Sequence, residues 1–194
     1  LQELEQKVKV LERKVESDQE STAARLKAMP TISIGAGGLQ AVSADTNFSI
    51  GLRGLLQVDS RTFFGAENGQ GNDAFLLRRA RPIFHGTLFR DFDFMFNPDF
   101  GGSTVQIFDA YLNYRYAPWL QARIGKFKSP IGLEYLQADQ FTMFNERALP
   151  TALVPGRDVG FQIWGEVGGG VLSYAAGIFN GFGDGRGSSN TDFD

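Results

Sequence analysis

Arginine side chains recur at alternate positions of segments that the sequence predicts to be extended. Arg79 and Arg81 alternate with apolar residues in AFLLRRARPIFHGTLF. Because successive side chains of a strand point to opposite faces, both guanidinium groups are expected on one face. The same alternation places further arginines on the polar faces of their strands: Arg53, Arg61, Arg115 and Arg123. Aligned guanidinium groups can bind anions or can pair with carboxylates that stiffen a sheet, and the pattern alone allows both.

The composition excludes the common kinds of catalytic and metal chemistry. The chain has 194 residues, no Cys and one His, which rules out thiol nucleophiles, disulfides and multi-His metal sites. His85 has no Ser or Cys partner at a fixed spacing, so a hydrogen-bonding role is expected for it. The net charge is −3 without a large basic face, so nucleic acid is not expected as a partner. We therefore predict a protein that is not an enzyme and has no cofactor.

The chain begins with a heptad pattern. Leu1, Leu4, Val8, Leu11 and Val15 are spaced 3-4-3-4, which predicts an α-helix with an apolar seam over residues 1–28. Lysines and glutamates flank the seam, as in helices that associate with a parallel neighbour. The pattern favours a short coiled coil, and the alternative is a single helix whose seam packs on its own chain.

After Met29-Pro30 the period changes to two, which predicts an all-β domain. Residues 29–46 are expected to be a linker with a short extended segment, and residues 47–194 to form about seven long strands. Polar Gly-rich stretches at 65–73 and 181–194 are predicted to be loops.

The length of these strands indicates the solvent that their apolar face meets. The strands reach about 9–16 residues, whereas strands of globular proteins have about 5–6. No stretch has the roughly 18 apolar residues of a transmembrane helix, but strands of about 9–11 residues span a bilayer. Short turns that alternate with long polar loops are typical of outer-membrane barrels, which have an even strand number. We therefore expect a transmembrane antiparallel β-barrel of which this chain forms a part.

Several motifs, in order, closely resemble the phosphate-selective porins, the family of porin O and porin P. They are FLLRRARPIFHGTLFRDFDFMFNPDFGGS, DAYLNYRY, ARIGKFKSPIGLEYLQADQFTMFNERALPTALVPGRDVG and LSYAAGIFNG. The resemblance covers about residues 45–183 and implies a trimeric barrel of about 16 strands, of which this chain would be the N-terminal half. It also implies that the third loop, about residues 128–157, folds into the pore and forms the constriction.

The resemblance also extends to single residues. Arg78 and Arg79 match the family's paired arginines in the second strand. Strict alternation places Arg78 on the lipid side, near the outer rim. The resulting candidates for pore-lining residues are Arg79, Arg81, Arg78, Arg53, Arg61, Arg115, Arg123, Lys126, Lys128 and Arg147, with Lys126, Lys128 and Arg147 at or within the constriction loop. Expected pore acids are Asp59, Asp93, Asp99, Asp109 and Glu166, with Glu134 and Glu146 in the loop.

The implied function is passive diffusion of phosphate-type or polyphosphate-type anions across the bacterial outer membrane. The alternative is a general porin or a structural anchor tethered through its coiled coil. Expected partners are two further copies in a homotrimer, outer-membrane lipid and lipopolysaccharide, and inorganic anions. The helix is expected in the periplasm, where the cell wall is a candidate contact.

Overall fold

A long helix and an antiparallel sheet make up most of the computed structural model, which describes residues 2–64, 73–102, 104–144 and 147–181. Helix α1 is Gln2–Ala28 and has Arg25 and Lys27 in its last turn, where they complement the helix dipole. Every side chain described in α1 is exposed, including those of Val8, Leu11 and Val15. The predicted helix is confirmed, whereas its association into a coiled coil stays a prediction.

Over the described residues the sheet has nine strands, each antiparallel to the next along the chain. Their bounds are β1 Thr31–Gly35, β2 Gly38–Val42, β3 Ser49–Arg61, β4 Ala74–Leu88, β5 Phe92–Asp99, β6 Gln106–Ala117, β7 Leu120–Lys128, β8 Arg157–Val167 and β9 Leu172–Phe179. Seven of these strands, β3 to β9, lie within residues 47–194, where about seven long strands were expected, and β1 and β2 are additional. The β1–β2 hairpin falls in residues 29–46, which were expected to be a linker with a short extended segment, and each of its strands has only 5 residues. Such short strands do not show a clear period in the sequence.

Rows of paired residues show that the sheet has two chemically different faces. One row is apolar and crosses all nine strands: Ile32, Ala41, Ile50, Gly86, Phe94, Leu112, Ile124, Phe161 and Ile178. A row on the other face is mostly polar: Ser49, Thr87, Asp93, Asn113, Arg123 and Gln162. We call these the apolar face and the loop-bearing face, because the long β7–β8 loop lies over the second. The predicted alternation is thus observed along most of each strand.

Burial is inverted relative to a protein that folds around an apolar core. Buried side chains on or beside the loop-bearing face include Arg81, Asp99, Asp109 and Arg157. On the apolar face, Ile124 is 60% exposed and Phe161 44%. A continuous apolar surface of this extent requires an apolar surrounding, and the lipid-facing band of a membrane barrel supplies one.

The two ends of the sheet differ in their connections. The β4–β5, β6–β7 and β8–β9 turns span 89–91, 118–119 and 168–171, whereas the β7–β8 loop spans 129–156. Aromatic pairs lie at the short-turn end, with ring centroids 5.0 Å apart for Phe48 and Phe89 and 6.2 Å apart for Tyr116 and Trp119. Aromatic girdles of this kind mark membrane interfaces. Most of the stretch 65–73 and the tail after residue 181, both predicted to be loops, lie outside the described residues.

The β7–β8 loop contains short helical segments. Helix α2 is Leu133–Leu136, and two 3-10 helical turns follow at Asp139–Phe141 and Leu149–Leu153. In the described part of the chain, no helix is both long enough and apolar enough to cross a membrane.

Candidate functional site: an arginine cluster beneath the β7–β8 loop

A carboxylate from the β7–β8 loop lies among three arginines. Both oxygens of Asp139 are bound: Oδ2 accepts a hydrogen bond from Arg81 Nη1 and lies 3.3 Å from Arg79 Nε, and Oδ1 accepts from Arg147 Nη2 at 2.6 Å. The Asp139 side chain is 9% exposed. Charge-assisted bonds in a water-poor position are among the strong hydrogen bonds of proteins. The loop is therefore attached to strand β4 through arginine side chains.

A β-bulge brings a further arginine to the same face. Gln57 pairs with Arg79 and Val58 with Leu77, so Arg78 is an extra residue in the β3–β4 ladder. Bulges change the direction of a side chain, and Arg78 Nε lies 3.8 Å from Asp59 Oδ2, next to the cluster. Strict alternation had placed Arg78 on the lipid side. That placement was wrong because the bulge shifts the alternation by one residue.

A second bulge supplies an aromatic ring. Asn97 pairs with Asp109 and Pro98 with Ile107, which leaves Phe108 as the extra residue. The Phe108 ring centroid is 4.1 Å from Arg81 Cζ and 4.7 Å from Arg157 Cζ. Cation–π contact with one ring holds the two guanidinium groups near each other despite their like charge.

Acids on the strands orient the arginines. Asp99 Oδ2 accepts a hydrogen bond from Arg81 Nε at 2.6 Å, and its Oδ1 accepts from the backbone N–H groups of Ala80 and Gly101 at 3.1 and 2.8 Å. Asp109 accepts from Arg157 Nε at 3.0 Å and from Asn97 Nδ2 at 2.8 Å. Because these carboxylates have several donors each, their buried charges are compensated.

The cluster surrounds a cavity with an excess of positive charge. The cavity has a volume of about 280 Å³ and is lined by five arginines, which are Arg78, Arg79, Arg81, Arg147 and Arg157. Among the residues that the structure describes, the carboxylates that line it are Asp99 and Asp139. Guanidinium groups that converge on such a space can replace part of the hydration shell of a small oxyanion.

Two neighbouring cavities extend this one along the loop-bearing face. One, of about 730 Å³, shares Arg79 and Asp139 with it and adds Arg61. The other, of about 380 Å³, shares Arg81, Asp139 and Arg157, and adds Lys128 together with Arg53 and Arg123. Basic side chains therefore line three adjacent cavities that share Asp139.

The loop is also held by contacts that do not involve Asp139. Lys128 Nζ donates to the carbonyl oxygens of Tyr135 and Gln137 at 2.6 and 3.0 Å. Glu134 accepts from the Ala148 N–H at 3.0 Å and from the Thr151 hydroxyl. These two hydrogen bonds lower the pKa of Glu134, with Thr151 the larger cause.

The same arginines keep Asp139 ionised. Burial by itself would raise the pKa of Asp139, but the Arg81 hydrogen bond and the charges of Arg81, Arg79 and Arg147 outweigh it. The pKa of this carboxyl group therefore lies below its ordinary value of 3.8.

Three other candidate residues lie away from the cavity. Arg123 stacks over Tyr111 and Trp164, with Cζ 4.5 and 5.2 Å from the ring centroids. Arg115 lies near the short-turn end, where it donates to Arg90 O at 2.5 Å and lies 3.1 Å from Asp93. Lys126 was expected at or within the loop on the pore side. It lies inside β7, paired with Ala110 and Val159 on the apolar face, so that expectation was wrong.

Sequence reasoning missed Asp139, Arg157 and Phe108. The loop has no repeating period, so nothing in QADQF indicates which polar side chain turns towards the sheet. Arg157 was taken as the end of the loop, and the bulge at Phe108 leaves no distinct signal in QIFDAY. Glu146, an expected loop acid, lies outside the described residues.

A two-faced antiparallel sheet with a loop folded over its polar face is the architecture of part of a porin wall. The chain belongs to the family described as phosphate-selective porin O and P, whose model matches residues 48–194. It is 32% identical over 118 residues to porin O of Pseudomonas aeruginosa, a match that covers 57% of this chain and only 27% of that protein. Family membership indicates the bacterial outer membrane, and because porins are channels it confirms that the chain is not an enzyme.

Proposed function

We propose that this chain forms part of an outer-membrane diffusion channel that prefers phosphate-type anions. The observation that carries the proposal is that, among the described residues, five arginines and two carboxylates line one cavity beneath the loop. The description of the family names phosphate selectivity, and the relative that this chain matches is porin O. The β7–β8 loop, about residues 128–157, would narrow the pore at this point.

The three adjacent cavities suggest how an anion would move. An oxyanion would pass from Arg61 to the cluster and then to Arg53 and Arg123, exchanging one guanidinium partner for the next. Each site must bind well enough to admit the anion and weakly enough to release it. The carboxylates beside the arginines lower the net charge at each step and so assist release.

Replacement of Arg79 by Gln tests the proposal. Chloride current through the protein in planar bilayers is measured while inorganic phosphate is added. The half-blocking phosphate concentration is expected to rise about tenfold or more, because a hydrogen bond to a charged group contributes about 1.5–3 kcal/mol. Arg115→Gln is the matched control, since it removes one arginine from the same face near the short-turn end, and it should leave the block within about twofold. Equal effects of the two variants would contradict a cluster-specific site.

We also propose that α1 lies in the periplasm and associates with two further copies in a homotrimer. The β2–β3 connection is at the short-turn end and the first residue of β1 lies beside it, so α1, which precedes β1, joins the sheet at that end. Short turns are periplasmic in outer-membrane barrels. The exposed seam of Val8, Leu11 and Val15 supports association, and Val8→Asp with Leu11→Asp should weaken chemical crosslinking of the oligomer. Unchanged crosslinking would oppose a role for α1 in assembly.

A general porin is the second candidate, and the acids favour it. Asp59, Asp99, Asp109 and Asp139 each have an arginine within ion-pair distance. If these pairs dominate, the pore would conduct anions and cations with weak preference and phosphate would not block it. A structural anchor tethered to the cell wall through α1 would instead show wall binding that depends on residues 1–28.

A further inference from the structure

Asp139 occupies the position that a bound oxyanion would take. Its two carboxylate oxygens contact Arg79, Arg81 and Arg147, and its side chain is 9% exposed. A phosphate ion would use the same guanidinium donors, because a carboxylate and a phosphate present similar acceptor oxygens. A soluble anion and Asp139 therefore cannot occupy these donors together.

Asp139 differs from the other acids of the cluster in how it is held. Asp99 and Asp109 lie on strands, and backbone N–H groups or the Asn97 side chain donate to them. Asp139 lies in a 3-10 helical turn of the loop. In the described part of the chain, every hydrogen bond and ion pair to its carboxylate comes from an arginine. Competing anions would remove all of these partners at once.

The loop can stay in place when this carboxylate leaves the arginines. Lys128 binds the carbonyl oxygens of Tyr135 and Gln137, and Ser129 Oγ donates to Pro155 O at 2.8 Å. Glu134 ties α2 to Ala148 and Thr151. A change of the Asp139 rotamer would therefore open the arginine donors without release of the whole loop.

We propose that Asp139 is a tethered competitor that occupies the arginine cluster and sets its affinity for oxyanions, an inference that rests on the proposed channel function. A soluble anion binds only in the fraction of time during which Asp139 is displaced. If that fraction is about one tenth, the apparent dissociation constant is about tenfold above that of the open cluster. Asp139 is in this sense a specificity-determining residue, which keeps binding weak and release fast.

The test measures block of chloride current by inorganic phosphate for the whole protein and its variants in planar bilayers. Asp139→Asn and Asp139→Ala should each lower the half-blocking phosphate concentration about tenfold, since both remove the competing charge. Asp93→Asn is the matched control, because it removes one negative charge from the same face near the short-turn end, away from the cluster, and it should leave the block unchanged. Single-channel conductance in chloride should stay near the wild-type value for all three variants, which shows that the loop has not left the pore.

The outcomes separate this inference from the proposed function. If phosphate blocks the wild-type channel but the Asp139 variants are blocked equally or less, Asp139 only positions the loop and the inference is overturned. The inference is also overturned if the Asp139 variants have a higher chloride conductance than the wild type and are blocked less by phosphate. If phosphate fails to block any variant and none prefers anions, the proposed function itself fails.

Discussion

Two arginine–aspartate groups on the same face of the sheet differ in their surroundings. Arg81 and Asp139, beneath the loop, have side chains that are 7% and 9% exposed. Arg115 and Asp93, near the short-turn end, are 45% and 32% exposed. The first group has further partners in Asp99, Phe108 and Arg79, whereas the second is an ordinary surface ion pair. The same chemical pair is thus buried only where a loop and two bulges remove it from water.

Loss of Arg81 should have the largest effect. Arg81→Ala would leave the buried Asp99 and Asp139 without their main partner, and breaking a buried ion pair in this way costs about 3–5 kcal/mol. We expect a large fall in the free energy of unfolding, measured by denaturant titration of the protein in detergent. A cost below about 1 kcal/mol would show that the cluster is hydrated like the Arg115 pair.

Acidification should affect the loop through Asp139. The pKa of Asp139 is lower in the folded protein than its ordinary value of 3.8. The ionised carboxylate therefore stabilises the fold fully above pH 3.8, and this stabilisation is lost as the pH falls through the lower pKa of the folded state. Between pH 7 and about pH 4 we expect anion selectivity to stay constant, and below this range to increase as the competing charge is neutralised. The measurement is the difference in reversal potential between the wild type and Asp139→Asn as a function of pH. This difference should disappear at low pH. A difference that persists there would contradict the attribution of the pH effect to the Asp139 carboxylate.

The aromatic ring of Phe108 should contribute less. Phe108→Leu keeps an apolar side chain but removes the cation–π contacts with Arg81 and Arg157, which contribute about 0.5–2 kcal/mol. We expect a moderate loss of stability and a small rise in the half-blocking phosphate concentration. The control for loss of a ring outside the cluster is Phe92→Leu, because Phe92 lies on the apolar face against Tyr114. It should not change the block.

The smallest effect is expected at the exposed pair. Arg115→Ala should change the free energy of unfolding by no more than about 1 kcal/mol, because solvent and salt screen exposed ion pairs. Denaturant titration at low and high salt would check this. A cost as large as that of Arg81→Ala would remove the distinction between the two regions.

The sequence predicted the regular parts of the fold better than the site. Alternation identified β3 to β9 and the faces of Arg79 and Arg81, because a period of two persists over long strands. It failed at Arg78, where one extra residue in the ladder changes the facing side chain. Lys126 could have been assigned to the apolar face by counting from Arg123, since both lie in the same strand.

The residues that the β7–β8 loop adds to the arginine cluster could not be predicted from periodicity. Asp139 and Arg147 lie in a segment without a period, and their positions depend on long-range contacts with strand β4 and with Tyr135. Such contacts are set by the folded sheet beneath the loop, so local sequence does not reveal them.

The most direct test of the central claim is the reversal potential of the wild-type protein in planar bilayers under a KCl gradient, with and without phosphate. The arginine excess around the cavity leads us to expect a potential of the sign that indicates chloride preference and a chloride current that phosphate blocks. A potential near zero or of cation sign, without phosphate block, would show that the carboxylates neutralise the cluster and would contradict an anion-selective channel.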